Sequence, residues 1–271
     1  MNGSLRRFGR RLLLASIFSL AAPLASLQAA EEVDVELVLA VDVSRSMGME
    51  EQVIQRRGYV EAIRSAEFLL AVQSGFIGRI ALTYVEWGTA GDERVLIDWQ
   101  VIDDAASAAA FAQALETAPI AGESRTSISE AVMFAVDLID TNAFEGLRRV
   151  IDVSGDGPND HGRPVTQARA LAIERSVTIN GLPIVLEEVT RWSVVEDLEE
   201  YYDACVIGGV GAFQIPIRSR RDFAAAIRRK MVLEIVGVQP ERARPVLPAA
   251  APGANDGGDL CTIGERVAAR R

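Results

Sequence analysis

The sequence predicts an α/β protein with a doubly wound, mainly parallel sheet, one antiparallel edge strand and helices on both faces. Three observations carry that expectation. Short runs of branched apolar residues alternate with amphipathic stretches along the chain, as a parallel sheet covered on both faces requires. Two of those runs, 80–85 and 94–99, are separated by a short Gly-containing turn, which suits a hairpin and therefore one antiparallel strand. The 271 residues are 49% hydrophobic and 24% charged, enough for a sizeable core in one large domain or two small ones.

The elements follow in order. Residues 37–41 are short, branched and free of Gly and Pro, the pattern of a buried strand. Residues 50–74 read as one long helix with Val53, Val60, Ile63 and Leu70 on its apolar face, stopped by Gly75. After the hairpin, Asp103 and Asp104 open an alanine-rich helix through Thr117, with acids where the helix dipole favours them. Residues 119–122 break the chain, and 126–141 form a helix with Ile128, Ala131, Val132, Ala135, Leu138 and Ile139 as its buried stripe. A strand at 150–154 runs into Gly155-Asp156-Gly157-Pro158. Helices are expected at 164–176, 194–204 and 221–236, and strands at 177–185 and 211–217.

Both ends differ from this body. Residues 1–30 carry Arg6, Arg7, Arg10 and Arg11, then an apolar run from Leu12 to Ala25 and small residues at Ala29 and Ala30. That is the layout of a secretory signal peptide cleaved after Ala29 or Ala30. The apolar run contains Pro23 and is short of the roughly twenty residues of a membrane span. An uncleaved anchor is the alternative, and Arg10-Arg11 weakly resembles a twin-arginine export signal. The expected mature protein occupies the periplasm or is secreted, with no stable membrane span. One domain is expected over 31–237, and 238–271 is a Pro/Ala/Gly-rich tail. Cys205 and Cys261 are the only cysteines. In an oxidising compartment they make a disulfide that ties the tail back to the domain, or stay as two thiols. The formal charge of −10 and the 6% aromatic content argue against a nucleic-acid partner.

Chemistry concentrates where strands end. Asp42, Ser44 and Ser46 place three oxygen donors in five residues directly after the first strand. Such a set holds hard cations such as Mg²⁺; the same residues also cap helices. Ligands of open α/β sheets bind outside the carboxyl ends of the strands, and Asp156 and Thr126 reach that edge on two further loops. The chain here resembles the von Willebrand factor A fold, a Rossmann-like architecture. Its metal-ion-dependent adhesion site is Asp-x-Ser-x-Ser, a Thr heading a later helix, and an Asp in a strand-ending Asp-Gly turn. Matching residues are Asp42, Ser44, Ser46, Thr126 and Asp156, and the resemblance covers about residues 33–237. Phrases such as Val85-Glu86-Trp87 and Cys205-Val206-Ile207-Gly208-Gly209 look like those of an uncharacterised exported bacterial subfamily. The resemblance implies Mg²⁺ or Mn²⁺ held by the serines with Thr126 or an aspartate. The remaining carboxylate acts through water, and one position stays open for an Asp or Glu of a protein partner. Arg45 departs from the pattern, where many members carry a small residue; it either helps to hold an anionic ligand or points to solvent.

Other residues carry two readings each. His161, the only histidine, shapes the rim or is a plain loop residue. Asp152, in an apolar strand, needs a partner such as an Arg. Glu86 and Trp87 line the site or are a capping acid and a packed ring, and Glu123 and Arg125 flank Thr126 at the rim. No Ser-His or Cys-His pairing and no phosphate loop stands out, so the protein is expected not to be an enzyme. The rival readings are a metal-dependent hydrolase such as a phosphatase using Asp42, and a metal-stabilised structural domain. A phosphatase of that kind wants a second acid two residues on, where this chain has Ser44.

Overall fold

A computed structural model of the chain describes residues 30–120, 122, 125–186, 197–237 and 260–270. The expected leader, apart from Ala30, lies outside these residues, as do Glu123 and most of the tail. Five strands are described: β1 (Glu31–Asp42), β2 (Ile80–Trp87), β3 (Arg94–Ile102), β4 (Phe144–Gly155) and β5 (Val177–Pro183). They form one sheet in the order β3-β2-β1-β4-β5. All neighbours are parallel except β2 and β3. The expected fold class is therefore the observed one.

Alternation along β1 divides the core. Val35, Leu37, Leu39 and Val41 pack with α1 (Met49–Ile63), α2 (Ala66–Gln73), α3 (Ala105–Thr117) and α7 (Phe223–Val236). Val38 and Ala40 pack with α4 (Ile128–Thr141), α5 (Val165–Glu174) and α6 (Leu198–Tyr201) on the other face. Successive strand side chains point to opposite faces, so β1 is apolar throughout because both faces are covered. The chain leaves β1 toward β2 on one side and returns at β4 on the other. Strand order therefore reverses between β1 and β4, where Val41 is level with Ser154.

Three expectations need correction. Residues 50–74 form two helices, because Ser65 caps a new one: its hydroxyl oxygen accepts from Phe68 N at 3.2 Å. The turn re-aims the apolar face onto Phe68, Ala71 and Val72, leaving Val53 46% and Leu70 67% exposed. Residues 211–217 make no strand; Gln214 and Ile217 form isolated bridges to Gly181 and Ile184. Finally, Asp152 is partnered by a lysine rather than an arginine: Lys230 Nζ lies 2.6 Å from its Oδ1. In the expected 194–204 helix, the described part is α6 followed by a π-helix over Tyr202–Val206.

The tail returns to the body. Cys205 and Cys261 form a disulfide across a sequence separation of 56, and α8 (Ile263–Ala268) follows it. Closing a loop of that length stabilises by about 4 kcal/mol on the chain-entropy account.

Candidate metal site at the sheet edge

The reversal point between β1 and β4 carries the cluster. Asp42 ends β1; its Oδ1 accepts from Ser44 N at 2.7 Å, which turns the chain sharply out of the sheet. Ser44 Oγ and Ser46 Oγ are 3.1 Å apart, and Ser46 Oγ donates to Asp156 Oδ1 at 2.6 Å. Four of the five expected donors thus form one contiguous polar group. Thr126 is tied by its backbone to the loop that follows Asp156 and not to the other four donors. Its N–H donates to Asp160 Oδ1 at 3.3 Å and its carbonyl accepts from Asp160 N at 2.9 Å.

The surroundings leave room for a cation. Asp42 is 0% exposed, and its Oδ2 meets no hydrogen-bond donor among the described residues. Gly155 faces it: a Cβ there would come within 2.9 Å of both Asp42 Oδ2 and the Tyr202 hydroxyl. A buried carboxylate oxygen without a donor is costly. Burial, reinforced by the charge of Asp156, pushes the Asp42 carboxyl well above the usual range. Asp156 is raised to about 6, chiefly by its own burial; the Ser46 hydrogen bond opposes this and the nearby Glu51 carboxylate adds to it. Without a cation, both carboxyls keep their protons to higher pH than they would in water. The donors are hard oxygens, so the residues present fit Mg²⁺ or Mn²⁺. Among the described residues no three His, Cys, Asp or Glu side chains gather as a metal centre. The rim group has hydroxyls where such a centre would have acids.

The polar face of α1 holds the loop in place, a feature the periodicity concealed. Gln52 Nε2 donates to Met47 O at 2.9 Å and Val43 O at 3.3 Å, and Gln55 Nε2 donates to Asp42 O at 3.4 Å. Glu51 Oε2 accepts from Gly48 N at 2.9 Å, and its Oε1 accepts from Arg220 at 3.2 Å. Arg56 donates to Ala118 O at 2.6 Å and pairs with Glu86. In the sequence Glu51 and Arg56 read as ordinary solvent-facing charges; only a site beneath the helix turns them inward.

The remaining candidates are also placed. Glu86 is buried between Arg56 and Arg94, and Trp87 is fully buried with its ring against the Gly155 position. Both are structural. His161 Nε2 accepts from Ala90 N at 2.9 Å, which leaves the proton on Nδ1, 2.6 Å from Asp160 Oδ1. It ties the turn after β2 to the loop after Asp156. Arg125 lies 3.6 Å from Asp160, and Arg45 is exposed. Sequence reasoning missed the supporting roles of Gln52 and Gln55, which reach back to the loop carbonyls, and of Glu51, which also meets Arg220 from far along the chain.

Comparison with known proteins follows this geometry. The profile of the family described as "Protein of unknown function (DUF1194)" matches residues 32–239. The chain belongs to that family. No curated protein matches it. Among solved structures, a von Willebrand factor type A protein from Catenulispora acidiphila aligns at TM-score 0.53 and 16% identity, over 78% of this chain and 44% of that one. Proximal thread matrix protein 1 from the mussel byssus, with a zinc-occupied metal-ion-dependent adhesion site, aligns at 0.51 and 11%, over 76% and 46%. BatB, a conserved hypothetical protein from Bacteroides thetaiotaomicron, aligns at 0.50 and 18%, over 74% and 98%. This chain spans less than half the length of the first two. At these identities the likeness establishes the fold alone, which is von Willebrand factor A-like. Among the described residues no helix is long and apolar enough to cross a membrane.

Proposed function

We propose that this family member is an exported, divalent-metal-dependent protein-binding module that captures an acidic group of a protein partner. The observation that carries the reading is the contiguous group Asp42–Ser44–Ser46–Asp156 with its donorless Asp42 Oδ2. Thr126, at the head of the next arm, is the fifth residue of the set. Bound there, Mg²⁺ or Mn²⁺ would supply an electron-poor position for an external Asp or Glu oxygen. The chain's own part is to hold the donors. Asp42 fixes the Ser44 amide, and Ser46 is oriented by Asp156 at the exposed end of the group. Gln52 and Gln55 pin the loop carbonyls beneath. The mussel protein with an occupied site on the same fold supports divalent-metal binding, and the expected leader supports an envelope location.

Binding is favoured over hydrolysis because Asp42 is fully buried and its Oδ1 is already engaged by Ser44, which leaves a substrate phosphorus no approach to it. The test is capture from the native envelope by the immobilised mature chain. A carboxylate-bearing partner is recovered with Mg²⁺ and lost with EDTA or with Asp42→Ala; recovery indifferent to both treatments refutes the proposal.

A further inference from the structure

Asn159 joins the two arms of the candidate site. It is fully buried and stands three residues after Asp156. Its Oδ1 accepts from Ser129 N at 2.9 Å, in the first turn of α4. The N-cap of that helix, Ser127, makes no side-chain capping bond of its own, so Asn159 supplies the cap from another loop. Thr126 sits just ahead of that helix, and Asp156 just ahead of Asn159. Asn159 therefore acts with the Thr126–Asp160 bonds to set the separation of the two arms.

What holds Asn159 from outside is the tail. Its Nδ2 donates to Glu265 Oε1 of α8 at 2.8 Å, as well as to His161 O at 3.1 Å and Arg163 O at 3.3 Å. Gly264 lies directly on the loop: a Cβ there would come 2.0 Å from Asn159 O and 3.1 Å from Pro158 Cγ. Only glycine lets the α8 backbone approach so closely. Cys261 at the near end of the segment is bonded to Cys205, in the π-helix that begins at Tyr202, and the Tyr202 hydroxyl shares the Gly155 space with Asp42. The segment is thus fixed at one end by a covalent bond to the helix that carries Tyr202, and packs on the Asp156 arm at the other.

We propose that residues 260–270 are a strap that positions the metal-site loops, and that opening the Cys205–Cys261 disulfide lowers the site's metal affinity. The proposal rests on the metal-binding reading above. A dithiol reductant opens the bond by thiolate attack on the Cys261 sulfur. Both cysteines leave as thiols, taking up two electrons and two protons, and the reductant leaves as its cyclic disulfide. Released, α8 withdraws Glu265 and Gly264 from Asn159, and the loop keeps its bonds to Thr126, Ser129, Tyr201 and Ala90 but loses its outer support.

The test is Mg²⁺ titration calorimetry on the mature chain in four forms: oxidised, reduced with the reagent removed, Cys205→Ser/Cys261→Ser, and Glu265→Ala. Circular dichroism establishes that each is folded. The disulfide-free and Glu265→Ala forms should bind about tenfold more weakly, the scale on which residues behind metal ligands act. Glu265→Gln, which keeps the acceptor, should restore most of the affinity. Hydrogen exchange at residues 156–163 should quicken in the reduced form, even without metal. Equal affinity in all folded forms overturns the strap and leaves the metal reading standing. Absence of Mg²⁺ binding in the oxidised chain refutes the metal reading, and the strap falls with it.

Discussion

Asp152 and Asp156 stand four residues apart, one within β4 and one just past its end, and they meet opposite fates. Asp152 finds its cation inside the chain. Lys230, 0% exposed, lies 2.6 Å from it and also pairs with Glu234 one helical turn on. Two acids share one ammonium there, so one of them keeps its proton. Glu234 is raised to about 8, first by burial and then by the Asp152 charge, with Lys230 opposing. Asp156 and Asp42, by contrast, meet hydroxyls, amides and each other. The comparison separates structure from function on physical grounds. A buried carboxylate that brings its own cation is part of the fold; a pair that lacks one is where the proposed metal would sit.

The largest effect that would sharpen this contrast is at Lys230. Lys230→Met leaves Asp152 and Glu234 buried without a cation, and breaking such a pair costs about 3–5 kcal/mol. Thermal unfolding should fall by about 10 °C for a domain of this size, whether or not Mg²⁺ is present. A drop that Mg²⁺ rescues would show that the two clusters are not independent. Glu234→Gln should be nearly neutral at pH 7 and instead remove a pH dependence. A carboxyl raised in the folded state contributes stability that is full below its ordinary 4.5 and lost as pH rises through about 8. The wild-type chain should therefore lose stability on the alkaline side of neutral, and the Gln variant should lose less of it in chemical denaturation.

At the rim the expected effect is smaller and depends on metal. Asp156 is raised to about 6, so without metal its contribution to stability is present below its ordinary 3.8 and lost as pH climbs through 6. On the metal-binding proposal, Mg²⁺ would take the place of that proton. The gain in thermal stability from Mg²⁺ should be slight at pH 5 and largest above pH 7, and a gain independent of pH would contradict an exchange of proton for metal. Asp42→Asn should abolish the gain altogether. The smallest effect belongs to Arg45, which is exposed. Arg45→Ala should move stability by less than about 0.5 kcal/mol and leave the Mg²⁺ gain intact, while weakening capture of an acidic partner.

Much was legible in the chain itself. Strand and helix alternation follows from periodicities of 2.0 and 3.6, which are local, and so the α/β class, the hairpin edge and most element positions could be read directly. The five-residue motif, with Thr126 and Asp156 on later elements, was legible because each donor sits at an element's end, where pattern reading is informative. What failed were features set by partners distant in sequence. Residues 50–74 kept an apolar period across Ser65, where a local cap together with the burial of Phe68 starts a second helix. Residues 211–217 had a strand's composition, yet make only isolated bridges to β5 and its end.

By itself, then, the sequence determined the architecture and the residues offered at the sheet edge. Tertiary structure decided which charges are at rest. Asp152 lies within the apolar run and Asp156 in the Gly-Asp-Gly turn after it, but nothing local says which of the two finds a cation inside the chain. Lys230 comes from a helix 78 residues further on, and α8 reaches Asn159 across 106. Burial and pairing are properties of the assembled fold, because the dielectric and the neighbours that set a carboxylate's charge exist only once distant segments meet.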